Sequence, residues 1–200
     1  MLAAASGGTS ALLITMKKFG KADPSMTING VLSGLVAVTA GCAFVSQWSA
    51  IIIGAISGLI VIYATLLVDH LKVDDPVGAV AVHGFNGVFG SIAVGLFDTS
   101  QGLLTIGDFS LLKVQLLGTA VVVVWGLLGG AFMARVCDKT VGLRASEREE
   151  EDGLDMSYHE IPAYNELERF TDLPTSLYNF EETTGISVAP TRKEKIREII

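Results

Sequence analysis

The chain has 200 residues, half of them hydrophobic, with 22 glycines, 18% charged residues and a formal net charge of −7. The charge is unevenly placed: residues 1–137 hold six acidic and six basic side chains, while residues 138–200 hold fifteen and eight. The chain therefore divides into an apolar, glycine-rich body (1–137) and an acidic tail (138–200), whose sign argues against nucleic acid and against attraction to anionic lipid headgroups.

Five apolar segments follow one another at about 1–16, 26–45, 48–68, 77–97 and 111–136. The first is short and begins with no polar flank, which reads as a helix entered partway along a longer ancestor. No basic n-region of a signal peptide precedes residues 2–14. Each of the other four has about 20 or more residues, enough to span a bilayer. Asp23 and Pro24 form a helix-start signal for the second segment, and Asp75 and Pro76 form one for the fourth. Asp75 is most simply a cap at the inner mouth; a role in stabilising a cation there is the alternative.

The connections alternate in charge. Lys17, Lys18 and Lys21 follow the first segment, His70 and Lys72 the third, and Arg135, Lys139 and Arg144 the fifth. Residues 45–47 and 98–110 contain no Lys or Arg. Basic connections stay inside, so the tail is expected in the cytoplasm and the N-terminus outside, with Trp48 at an outer boundary. Small residues recur at helical spacing: Gly30, Ser33 and Gly34; Gly54, Ser57 and Gly58; Gly84, Gly87, Gly90 and Ser91; Gly126, Gly129 and Gly130. Such residues let helix backbones approach closely in lipid. The expected fold is all-α, a polytopic transmembrane bundle of about five helices with a cytoplasmic tail.

Cys42 and Cys137 are far apart and form neither a disulfide framework nor a metal-ligand spacing. No HExxH, CxxC, P-loop, nucleophile elbow or kinase signature occurs, so nothing points to an enzyme, a catalytic residue or a cofactor.

One residue stands out against this background. His83 lies in an otherwise apolar run, eight residues past Asp75, about 12 Å along a helix that starts there. An ionisable side chain near the middle of a bilayer is a functional hypothesis by default. On an α-helix it shares a face with Ala79, Asn86, Gly87 and Gly90, a narrow and nearly uncharged surface that suits a small neutral substrate. A neutral imidazole carries one donor and one acceptor nitrogen and can hydrogen-bond a small amine-like species. A histidine bonded to a helix neighbour for packing is the competing reading.

Three stretches, in order, resemble the ammonium transporter family (Amt/Mep/Rh). They are Pro24-Ser25 with residues 34–43, Lys72 to Pro76 with the run from Val82 to Gly90, and Thr140 to Arg144 with Glu151 to Asp155. The resemblance covers about residues 1–165 and implies the last five of eleven membrane helices followed by the cytoplasmic C-terminal region. It further implies a homotrimer in the plasma (inner) membrane with one ammonium or ammonia pore per subunit. His83 matches the second of two facing pore histidines, with Ala79 and Asn86 beside it on the expected substrate face. The first histidine, the phenylalanine gate, the outer tryptophan and an early aspartate belong to helices that the matched part lacks. Gly78 stands where many relatives carry an acidic residue. A C-terminal fragment, not conducting by itself, is therefore expected.

In the tail, Gly142, Leu143 and Arg144, with Gly153, Leu154 and Asp155, match the family's regulatory C-terminal region, on which trimeric P-II signalling proteins dock in bacteria and archaea. The run 147–152 also reads as a solvated acidic stretch. Residues 193–200 could form a short amphipathic helix or the first strand of a fused regulatory domain, loosely similar to the opening of P-II proteins. Two alternatives to a transporter fragment stay open. One is an ammonium-sensing membrane module signalling through its tail; the other is a different polytopic transporter using His83 as a proton relay.

Overall fold

The computed structural model describes residues 1–159; the 193–200 segment lies outside the described residues. The chain forms two units, Met1–Ala134 and Arg135–Ile200. The elements in order are α1 (Leu2–Phe19), α2 (Pro24–Thr39), α3 (Gln47–His70), a π-helical turn (Val80–Phe85) continuing into α4 (Asn86–Phe97), the single turn α5 (Leu103–Ile106), α6 (Ser110–Thr140), α7 (Glu147–Asp152) and α8 (Leu154–His159). Among the described residues there is no β-strand beyond a bridge pairing Val45 with Asp98.

Local sequence sets most of the helix ends. Gly20, at φ 73°, closes α1 by donating its N–H to the Met16 carbonyl, the left-handed glycine stop. Asp23 caps α2, its Oδ1 accepting from the Met26 N–H at 2.9 Å, with Pro24 in the first turn as expected. Ser46 caps α3 by accepting from the Ser49 N–H at 3.1 Å. Beyond α3, Lys72 takes the left-handed conformation at φ 56° and the Val73 N–H reaches back to the Val68 carbonyl at 3.1 Å.

Two sequence expectations shift. The second apolar segment, expected to run to residue 45, is helical only to Thr39; residues 40–44 fold as a turn held by the Phe44 and Val45 N–H groups on the Gly41 carbonyl. The fourth helix does not begin at Pro76. Pro76 and Val77 lie in a turn, Gly78 reverses the chain at φ 75°, and helical backbone starts at Ala79. Asp75 still caps it, but across a longer reach, accepting from the Ala79 N–H at 2.7 Å and the Val80 N–H at 2.9 Å. His83 is thus four residues into the helix, about 6 Å at an α-helical rise, rather than the expected 12 Å.

Helices α1, α2 and α3 pack on one another through their small residues. A Cβ on Gly30 would sit 2.7 Å from the Gly7 carbonyl oxygen, so only hydrogen fits there. Ser10 Oγ on α1 donates to the Ala55 carbonyl on α3 at 2.9 Å. The π turn and α4 lie against this group. One apolar cluster joins Ala11, Val61, Ile62, Ala64, Ala81 and Val82, and a second joins Ala37, Ile53 and Ala93. Helices α2 and α4 run in the same direction. At one end the Asn29 side-chain amide donates to the Val77 carbonyl at 3.3 Å; at the other, the Thr99 N–H and hydroxyl both donate to the Phe44 carbonyl, at 2.9 and 3.0 Å. Lys18, at the end of α1, lies 5.3 Å from the centre of the Tyr63 ring, two turns before the end of α3, and Ser10 pairs with Ala55 further back, so the two helices run in the same direction.

Three helical stretches are long and apolar enough to cross a membrane: Gln47–His70, Val80–Phe97 and Ser110–Thr140. Pro24–Thr39 is apolar but shorter. None of the residues of α6 is buried, and its Trp125 is 78% exposed.

Candidate functional site

The site is built where the π turn meets α4. Ala81 and Val82 are buried in the first apolar cluster, and Gly90, two turns further on, is pressed against the backbone of Ala37, with a Cβ there falling 2.8 Å from the Ala37 Cα. These two anchors hold one side of the helix on the body. The opposite side carries His83, which is exposed rather than enclosed, and forms one wall of a cleft of about 500 Å3. Gly87 and Ser91 extend that wall, and Gln115, Thr119 and Val122 of α6 form the other. A second cleft of about 550 Å3 between the same two helices is lined by glycine and apolar residues alone, among them Val80, Phe85 and Leu127. A path along this surface meets few polar groups: the His83 imidazole, the Ser91 hydroxyl, Gln115 and Thr119. Ser91 Oγ is engaged with the Gly87 carbonyl at 3.1 Å, whereas Thr119 is half-buried with its Oγ1 atom shielded and without a partner among the described residues.

The structure brings together only part of the face expected from an α-helical period. Ala79 and His83 are both exposed. Asn86 is not on that wall: it is 0% exposed, turned into the body, with its Nδ2 donating to the Ala81 carbonyl at 3.0 Å. Gly90 goes with Asn86 and Gly87 goes with His83, so the single expected stripe splits in two. Asp75 stands apart from the cleft, occupied by its cap bonds. Gln115 and Thr119 were missed from sequence, although two polar residues one turn apart within the apolar run of α6 are the signal that would have found them.

The second unit, taken by itself, continues from the end of α6. The Val141 and Gly142 N–H groups both return to the Cys137 carbonyl, and Gly142 adopts φ 82°, which turns the chain out of the helix. Leu143 is exposed, and Arg144 makes an exposed ion pair with Glu150 at 3.7 Å. Ser146 and Glu149 form a complete capping box at the start of α7: the Glu149 N–H donates to Ser146 Oγ at 3.3 Å and the Ser146 N–H donates to Glu149 Oε2 at 2.7 Å. The Ser146 hydroxyl also donates to that carboxylate, and these bonds hold the Glu149 carboxyl below its ordinary value. Gly153, at φ 94°, separates α7 from α8, which opens with Leu154 and Asp155.

Comparison with known proteins adds three findings. The profile described as the Ammonium Transporter Family matches residues 1–164. The ammonium transporter Amt2 of Archaeoglobus fulgidus is 40% identical over 188 residues, covering 88% of this chain and 40% of the relative. Among solved structures, one named Sensor Amt Protein matches at 35% identity with a TM-score of 0.72, over 79% of this chain and 40% of its own. Mep2 of Saccharomyces cerevisiae matches at 25% identity with a TM-score of 0.67, over 74% and 36%. The chain thus spans two fifths or less of the length of these relatives.

Proposed function

This chain belongs to the ammonium transporter family, integral membrane transporters rather than enzymes, and from that premise we propose that it supplies one wall of an ammonium-conducting route, with His83 as the ionisable group on that wall. The observation that carries the reading is the exposure of His83, the one ionisable side chain on a cleft otherwise lined by Gln115 and by glycine, small hydroxyl and apolar residues. The imidazole can hydrogen-bond ammonia or take a proton from ammonium, which a potassium or sodium ion cannot offer it. The cleft is open, and α6 has no buried residue. An open cleft does not exclude water, so the chain conducts only when further helices close it. Those helices, three subunits per assembly, a plasma-membrane setting with the tail in the cytoplasm, and docking of a P-II protein on that tail complete the proposal.

The test is uptake of labelled methylammonium by cells lacking their own ammonium transporters. They would carry this chain alone, or a chimaera in which it replaces the matching stretch of the Archaeoglobus relative. We expect uptake from the chimaera and none from the chain alone. H83A in the chimaera should lower uptake about a hundredfold or more, the loss typical of a group that takes part directly in proton transfer. Native uptake by the H83A chimaera overturns the role of His83.

A second reading has its own support, the match to the structure named Sensor Amt Protein. In that reading the tail reports ammonium binding instead of regulating flux. Ammonium-dependent protease protection of the tail, in a chimaera that shows no uptake, would favour it.

A further inference from the structure

The sequence period puts His83 and Asn86 on one face, and the structure puts them on two. At 3.6 residues per turn, residues three apart are separated by only about 60° around a helix. The π turn from Val80 to Phe85 carries one anchor on the body within it, Ala81–Val82, and the second, Gly90, follows in α4. A π-helix closes its hydrogen-bonded ring five residues back instead of four, so each residue turns through a smaller angle. The wider turn therefore opens the angle between His83 and Asn86, and swings the imidazole from the edge of the packed face toward the cleft.

Asn86 sits where that turn ends. Its backbone N–H goes to the His83 carbonyl, three residues back, while its side-chain amide donates to the Ala81 carbonyl, five residues back, at 3.0 Å. The hydroxyls of Thr9, Thr65 and Ser91, by contrast, reach four residues back along their helices. The Asn86 amide thus spans the spacing of the π ring itself. It does so fully buried, with its Oδ1 unpartnered among the described residues, so no competing bond draws the amide elsewhere.

We propose that Asn86 is a positioning residue: its amide bond to the Ala81 carbonyl holds the π turn, and the π turn holds the His83 imidazole on the cleft wall. The consequence for conduction rests on the reading of His83 given above; the consequence for His83 orientation does not.

The experiment uses the full 200-residue chain in liposomes and reads the rate at which diethyl pyrocarbonate modifies His83, with the exposed His70 as internal reference. In N86A the His83-to-His70 ratio should fall about fivefold, the population shift expected when a hydrogen bond of typical net worth is lost. N86Q, which keeps an amide donor, should recover part of it; N86D, whose carboxylate only accepts, should not. A ratio in N86A within twofold of native, at native helical content, overturns the proposal. Should N86A fail to fold, equal ratios in N86Q and N86D overturn it instead. Uptake by the chimaera carrying H83A separates the two claims: native uptake there defeats the pore role of His83, while the labelling ratio still decides the role of Asn86.

Discussion

At the scale of single residues, His83 and Asn86 show how far an apolar background makes chemistry legible. His83 is visible in the sequence because ionisable groups are rare in a segment of this kind, and no packing information is needed to see it. Asn86 is just as visible, and its expected place was wrong. The error comes from one local departure, the π turn, which no hydrophobic period announces. Gly90 gives a prediction of a different sort. Its hydrogen faces the Ala37 backbone, which cannot move aside as a flexible side chain would. G90V should destabilise the bundle by about 1–3 kcal/mol, the usual cost of overpacking. Unfolding in detergent, followed by circular dichroism, would check it, and an unchanged midpoint would mean that α4 slides away from α2 without penalty.

At the scale of elements, the helix start that the sequence marked with Asp23 forms with its expected hydrogen bond, while the Gly20 stop and the Ser46 cap are seen first in the structure. The ends it missed are those where a glycine reverses the chain after a proline, as at Gly78, or where an apolar run folds as a turn, as at residues 40–44. Apolar composition persists through both, so hydropathy alone cannot find them. The short acidic helix α7 is the opposite case. A run of like charges reads as solvated, yet Ser146 and Glu149 supply a complete capping box. Because the Glu149 carboxyl is held below its ordinary value of 4.5, its contribution to α7 is complete above that unfolded-state value. It is lost as the pH falls through the lower folded-state value. Nuclear magnetic resonance of the isolated tail should show residues 147–152 keeping their helical shifts at neutral pH and losing them in acid, with E149A lacking them throughout. A helix unaffected by acid would rule out the box as its support.

At the scale of the whole molecule, the first unit exposes long apolar surfaces. Trp125, Val122 and Leu127 of α6 are each more than two thirds exposed, far more apolar surface than a protein presents to water without a use for it. Lipid and neighbouring helices are the natural cover for such a surface. The tail has its own test. Deleting residues from Gly142 onward in the conducting chimaera should leave insertion intact, weaken coupling between subunits, and lower P-II binding at least tenfold in a pull-down from defined components. Undiminished binding would place the docking surface elsewhere.

The sequence by itself determined that the chain is helical and apolar, where the acidic tail begins, which family motifs it carries, and that His83 is the residue to explain. These follow from composition, caps and period, which are local properties. Only the tertiary structure decided that the His83 face is an open cleft shared with α6, that Asn86 belongs to the packed side, and that Gln115 and Thr119 face the histidine. Which side of a helix meets its neighbours depends on the phase of its turns. A single wide turn, pinned by close packing within it and beyond it, resets that phase for every residue that follows.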